Sequence, residues 1–256
     1  MGAGHTHPLY VHEHSPVHHL PAHVKLVATF TFTVVVATAP REHVVTFVVA
    51  ALTLLAAIRV ARVRLRFLLP RLAVVTPFLI GALLLPFVAS GPRVDVLGIP
   101  LAEEGLWGGF GIAVRAVLGA TASLLLVATT EVPDLLRGLE RLRAPRLLTQ
   151  IAAFMVRYLE VIVGEVSRQR RAMTARGYDP RWLWQLRPLT AGLGVLFVRS
   201  YERGERVHAA MRARGFDGTM PVLTEERPAG VRAWRLALVL PALAGLGRIA
   251  GLLVHG

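Results

Sequence analysis

Between Val24 and Thr130 the chain is a succession of apolar runs broken by arginine and proline, and the runs themselves hold essentially no acidic residue. They cover about 24–39, 44–58, 72–89 and 110–130, and a further run closes the chain at about 234–254. A bilayer asks for roughly 20 apolar residues per helical span. The first two runs are short by that measure, although flanking residues can extend them. Pro77 and Pro86 predict kinks in the third. The chain is 54% hydrophobic yet carries a net charge of +13 with only 18% charged residues. Those figures fit one molecule if the apolar residues sit in lipid and the charges sit in the connections. The expected fold is therefore all-α and polytopic, with about five transmembrane helices.

Charge orients the bundle. Arg59, Arg62, Arg64 and Arg66 form one basic connection, and a long arginine-rich region runs from Arg137 to Arg235. Both are expected on the cytoplasmic side, with the 40–43 turn and the acidic 91–105 loop outside. The spans then alternate as they must, leaving a cytoplasmic N-terminus and a C-terminus outside. The domain boundaries that follow are a histidine-rich tail at 1–23, a bundle at 24–130, a cytoplasmic region at 131–232 and a last span at 233–256. Arg71 is placed to snorkel, and Arg115 either to snorkel or to face the bundle.

The cytoplasmic region contains a phrase written twice. Residues 172–179 read AMTARGYD and residues 210–217 read AMRARGFD, with six of eight positions identical. Arg168 and Arg206 stand at equal distance ahead of the copies. Each phrase reads as the last turn of a helix. Ala172, Met173, Ala175 and Arg176, like Ala210, Met211, Ala213 and Arg214, favour helix. Gly177 and Gly215 stand where a left-handed residue closes the end, with an aromatic to fold back. The arginines thus lie at helix C-termini, where a cation is favoured. Pro133, Pro145 and Pro188 open the helices of this region. The 27 residues from Pro188 to Arg214 would reach roughly 40 Å, long enough to hold the two ends well apart. Two equivalent basic helix ends suggest two equivalent partners.

Catalytic motifs are absent. The single lysine, Lys25, has no glycine-rich turn beside it, so the chain carries no ATP-binding P-loop. There is no cysteine, which removes disulfides and thiolate metal sites. Residues 1–23 hold seven of the ten histidines, His5, His7, His12, His14, His18, His19 and His23. They could collect Ni²⁺, Co²⁺, Cu²⁺ or Zn²⁺ weakly, but no spacing among them dictates a geometry, so no metal site is assigned. The tail lacks the basic start of a signal peptide, and no cleavage is expected.

These residues resemble the transmembrane (T) component of energy-coupling-factor transporters, in particular the cobalt-type CbiQ family. HSPVHHLPAHVKLVATFTF is similar to the family's start and EVPDLLRGLERLRAPRLL to its first coupling helix. VRYLEVIVGEVSRQRRAMTARGYDP and SYERGERVHAAMRARGFDG resemble its two signature helix ends. The resemblance implies an L-shaped, non-catalytic scaffold with long amphipathic coupling helices in the plasma (inner) membrane. It implies two cytoplasmic ABC ATPases as partners, which bind ATP and Mg²⁺. It also implies a CbiM-type substrate-binding membrane subunit, with or without a small CbiN-type one, and Co²⁺ or Ni²⁺ as cargo. Carried over by position, Ala175, Arg176 and Gly177 would dock one ATPase and Ala213, Arg214 and Gly215 the other. Arg168, Ala172, Met173, Arg206, Ala210 and Met211 would support the docking face. Phe154, Val161, Phe197 and Val198 would relay motion to the substrate subunit. The competing expectations are a T component for a vitamin, a standalone carrier, and a membrane-anchored basic protein lying on lipid. No nucleic-acid partner is expected, because such a protein has no use for long uncharged apolar runs.

Overall fold

The computed structural model describes residues 10, 11, 13, 15–96, 99–178, 187–218 and 229–255. They form two units, one from residues 1–143 with 228–256 and one from residues 144–227. In the first unit the helices are α1 (Ala22–Ala37), α2 (Val44–Val60), α3 (Leu65–Leu68), α4 (Thr76–Val88), α5 (Glu103–Thr129), α6 (Val132–Arg141) and α9 (Val231–His255). The second unit holds α7 (Arg146–Ala175) and α8 (Arg187–Ala213). The all-α membrane expectation holds, with one small exception. The acidic segment expected to be a loop contains an antiparallel hairpin, β1 (Arg93–Val96) on β2 (Ile99–Ala102), with Arg93 opposite Ala102 and Val96 opposite Ile99.

Two further differences come from local chemistry. α5 starts seven residues before the expected 110, because Glu103 and Glu104 occupy its first turn, where carboxylates meet the positive end of the helix dipole. Pro77 does not kink a helix interior but sits in the first turn of α4, after a 3₁₀ segment at Leu69–Val75. Taken together, Leu65–Val88 makes one apolar stretch of 24 residues. By length and composition, Leu65–Val88, Glu103–Thr129 and Arg146–Ala175 are each able to cross a membrane, while α1 and α2 are shorter apolar helices.

Close approach through glycine sets how α4 and α5 pack. A Cβ added to Gly109 would lie 2.3 Å from the Ala82 carbonyl oxygen, and one added to Gly105 would lie 2.6 Å from Pro86 Cα. The pair is a GxxxG spacing, which lets two helix backbones touch without side chains between them. α9 meets α2 in a similar way: Gly247 faces Val49, and Thr46 Oγ1 donates to the Gly247 carbonyl at 3.2 Å. The core of this unit gathers Phe32 and Val36 of α1, Phe47, Ala50, Leu54 and Ile58 of α2, Leu118, Ala122 and Leu125 of α5, and Ala244 of α9. The core is therefore shared by four helices and not by any one pair of apolar runs.

Cations tie the helix ends. Lys25 is buried, and its Nζ donates to the Thr129 carbonyl at the end of α5 over 2.8 Å. Arg115 faces the bundle: its Nη2 donates to the Ala39 carbonyl just beyond α1 at 2.7 Å, with the guanidinium 5.7 Å from the Phe47 ring. Arg71 instead folds back on its own turn, donating to the Phe67 carbonyl at 2.6 Å. α6 packs on the start of α1, where an added Cβ at Gly138 would come 2.9 Å from the His23 nitrogen.

The N-terminal segment is fastened as well. The Val11 amide donates to the Ala128 carbonyl at 3.0 Å. His18 Nε2 donates to the Val11 carbonyl at 3.0 Å, and in the neutral ring Nδ1 accepts from Ser15 Oγ at 2.7 Å. His5, His7, His12 and His14 lie outside the described residues, and among the described residues no group of three metal-ligating side chains comes together.

Replacing Gly109 with Ala should push α4 and α5 apart and cost about 1–3 kcal/mol, seen as a fall of several degrees in the thermal midpoint in detergent. Gly81→Ala, with nothing within 4 Å of the new Cβ, is the control and should change little. Burial, and to a smaller degree Lys25 and His19, holds the His18 pKa below the ordinary 6.5, against the opposing pull of the Val11 hydrogen bond and Glu13. A depressed histidine pKa means the unfolded segment binds the proton more readily. The contribution of the His18 fastening is therefore complete above pH 6.5 and lost as pH falls below it. The amide-exchange protection of Val11 should drop between pH 7.5 and pH 5, and His18→Gln should abolish that pH dependence.

Candidate docking surface

The two copies of the doubled phrase close their helices by the same hydrogen bonds. α7 ends at Ala175, the Gly177 amide donates to the Thr174 carbonyl at 3.0 Å, and the Tyr178 amide to the Met173 carbonyl at 3.1 Å. α8 ends at Ala213, the Gly215 amide donates to the Arg212 carbonyl at 3.0 Å, and the Phe216 amide to the Met211 carbonyl at 3.0 Å. Gly177 has φ +80° and Gly215 φ +85°. This is the Schellman arrangement, in which a left-handed residue lets the chain reverse and satisfy the last carbonyls. It also accounts for two letters of the phrase that the charge argument leaves aside. Met173 and Met211 supply the carbonyl, and the aromatic three residues past Ala175 and Ala213 supplies the amide. Both members of each pair are half-buried, as expected where a side chain packs over a closed helix end.

What remains of each copy faces outward. Ala172, Ala175, Arg176 and Gly177 are exposed, and so are Ala210, Ala213, Arg214 and Gly215. Matching exposure at matching positions means both ends present a small-residue surface with a long cation at 176 or 214, and the second end adds the exposed Arg212 where the first has Thr174.

The arginines divide into two kinds. Arg168 Nη2 is 2.6 Å from Glu165 Oε2, and Arg206 Nη1 is 3.7 Å from Glu202 Oε2, each to a carboxylate on its own helix. Solvent-exposed pairs of this sort contribute little. Arg176 and Arg214 have no ion pair or side-chain hydrogen bond among the described residues. Asp217, at the end of the second copy, is exposed, and Asp179 lies outside the described residues. Glu165 has a second role that spacing along the chain did not disclose: its Oε1 accepts from Arg199 Nη1 at 2.9 Å, tying α7 to α8.

The expected relay residues separate as well. Phe197, Val198 and Val161 are exposed, whereas Phe154 turns toward α8 and stacks on Tyr158 with centroids 6.4 Å apart.

A family model described as cobalt transport protein, CbiQ, matches residues 13–225, most of the chain and both helix ends. The chain belongs to the CbiQ family. Relatives carry the same assignment. The cobalt transport protein CbiQ of Rhodobacter capsulatus is 31% identical over 79% of this chain and 80% of its own. The energy-coupling factor transporter transmembrane protein EcfT of Bacillus selenitireducens is 30% identical over 82% of each chain. A putative fused cobalt transport protein, CbiMQ, of Methanocorpusculum labreanum is 25% identical over 83% of this chain and 37% of its own. This CbiQ-family chain is thus a membrane component of a transporter.

An added Cβ meets nothing within 4 Å at Gly177 or Gly215, so the glycine requirement there is conformational alone. Alanine at either position should cost about 1–2 kcal/mol of local stability, asparagine less and valine more. Amide exchange at Tyr178 and Phe216 should rank the variants in that order while the rest of each helix stays unchanged.

Proposed function

We propose that this chain is the coupling subunit of an energy-coupling-factor importer for cobalt or nickel ions. The doubled helix end is the observation that carries the reading. One chain offers two copies of the same exposed Ala-Arg-Gly surface, which suits two ABC ATPases that each present the same socket. Arg176 and Arg214 are the docking cations: a guanidinium keeps its charge at any working pH and can grip a carboxylate or a pair of helix carbonyls with two parallel bonds. Arg168 and Arg206, weakly held by their own glutamates, steady the flanks. ATP and Mg²⁺ belong to the partners, and Co²⁺ or Ni²⁺ is cargo.

The arginine-rich 131–232 region is assigned to the cytoplasm, beside a four-span bundle at 24–130 and a last span at 233–256. When the ATPases close on ATP, α7 and α8 are driven against each other. The exposed Val161, Phe197 and Val198 then carry the motion to a substrate-binding membrane subunit. A relative that joins CbiM and CbiQ in one chain supports a CbiM-type subunit as that partner. The near-equal likeness to an EcfT, whose name carries no ion, supports a second reading in which the same coupling part serves a vitamin.

The test is co-purification with ABC ATPases of the energy-coupling-factor type from the same organism, co-expressed with this chain. Arg176→Glu with Arg214→Glu should lower ATPase capture at least tenfold and abolish uptake of radioactive cobalt or nickel. Arg168→Gln with Arg206→Gln should reduce both only a few-fold. Full capture by the Glu double variant would overturn the docking assignment. Intact capture without uptake of either ion by the wild-type complex would favour the vitamin reading.

A further inference from the structure

Within the second unit, α7 and α8 enclose a cleft of about 350 Å³. Phe154, Tyr158 and Ile162 line it from α7, one residue per turn, and Val207 and Met211 from α8. The walls are apolar, but Arg203 and His208 also border the space, and no carboxylate does. Arg203 is half-buried and has no ion pair or hydrogen bond among the described residues. A guanidinium cannot shed its charge, and holding it against an apolar wall without a counter-charge is unfavourable. The cleft therefore suits a ligand that joins an anionic group to an apolar body.

Gly204 points the same way. It lies inside α8 and lines the cleft, and a Cβ there would meet nothing within 4 Å. Glycine inside a helix costs about 1 kcal/mol relative to alanine, and no crowding at this position demands it. Its effect is to leave the volume open.

The surroundings identify the ligand. Leu147, Ile151, Met155, Leu159 and Val163 stand exposed along α7, an apolar face that suits a helix resting on the cytoplasmic surface of a bilayer. An anion with an apolar body in such a setting is a phospholipid. We infer that the α7–α8 cleft binds one anionic phospholipid, its acyl chain along the Phe154–Tyr158 wall and its headgroup phosphate beside Arg203 and His208. A net negative headgroup is preferred over a zwitterionic one because the lining offers no carboxylate to an ammonium. Met211 and Phe216 also line the cleft, so the bound lipid packs under the second helix end and not the first. This inference stands on the cleft alone and does not need the ATPase assignment.

The full chain, delipidated in mild detergent, is titrated with dioleoyl phosphatidylglycerol or dioleoyl phosphatidylcholine and the bound lipids are counted by native mass spectrometry. One phosphatidylglycerol per chain should bind at a concentration at least tenfold below that needed for phosphatidylcholine. Arg203→Gln should weaken it about tenfold, and Gly204→Phe, whose Cβ meets nothing within 4 Å and whose ring would occupy the cleft, should remove the site. Arg170→Gln, a change of equal charge on the exposed side of α7, should leave binding as it was. The inference is overturned if the two lipids bind alike or if Gly204→Phe leaves the stoichiometry at one. It is also overturned if Arg170→Gln loses as much as Arg203→Gln, since that marks a diffuse basic surface.

Discussion

The last carbonyls of a helix have no partner within it, and where water is excluded each must find one elsewhere. Much of this structure is arranged around that need. The end of α5 receives the Val11 amide at Ala128 and the Lys25 ammonium at Thr129. Just past α1, the Ala39 carbonyl receives Arg115. α7 and α8 solve the problem with their own backbone, through the amides of Tyr178 and Phe216. The ends of α1 and α5 are closed by side chains or segments from elsewhere, which knits those helices into the bundle. The two ends of the doubled phrase are closed locally, which leaves their side chains free.

The local solution is not confined to glycine. α2 and α6 are followed by Arg62 and Arg143 at φ 57° and 65°, a conformation that costs a non-glycine residue roughly 1 kcal/mol. The Val63 amide reaches the Ile58 carbonyl in the same pattern. In the doubled phrase glycine takes the left-handed position and the arginine stands one residue earlier, at the cap itself. That displacement removes the strain from the arginine and places it on the exposed rim.

Features carried by neighbouring residues were legible in the sequence. The helix ends at Gly177 and Gly215, the start of α7 after Pro145 and the helical character of the apolar runs all follow from spacing and from residues with few conformations. The hairpin at 93–102 was read as a loop because four-residue strands leave almost no periodicity to detect. Contacts between distant residues were not legible: Lys25 with Thr129 and Glu165 with Arg199 join positions 104 and 34 residues apart. Half of the Glu165 fork, the pairing with Arg168, could have been found from its spacing of three. The Gly105–Gly109 pair was equally visible as a motif, and only the identity of its partner, α4, needed the fold.

Because backbone amides shut the ends of α7 and α8, the side chains at 176 and 214 add only their attraction to the helix dipole to the folding work. A change there leaves the helix, its cap and the Met–aromatic packing behind it as they were. The two rims are thus interchangeable fittings on a fixed frame. Each can be rewritten separately, and a lineage whose two partners diverge from one another can follow them one helix end at a time.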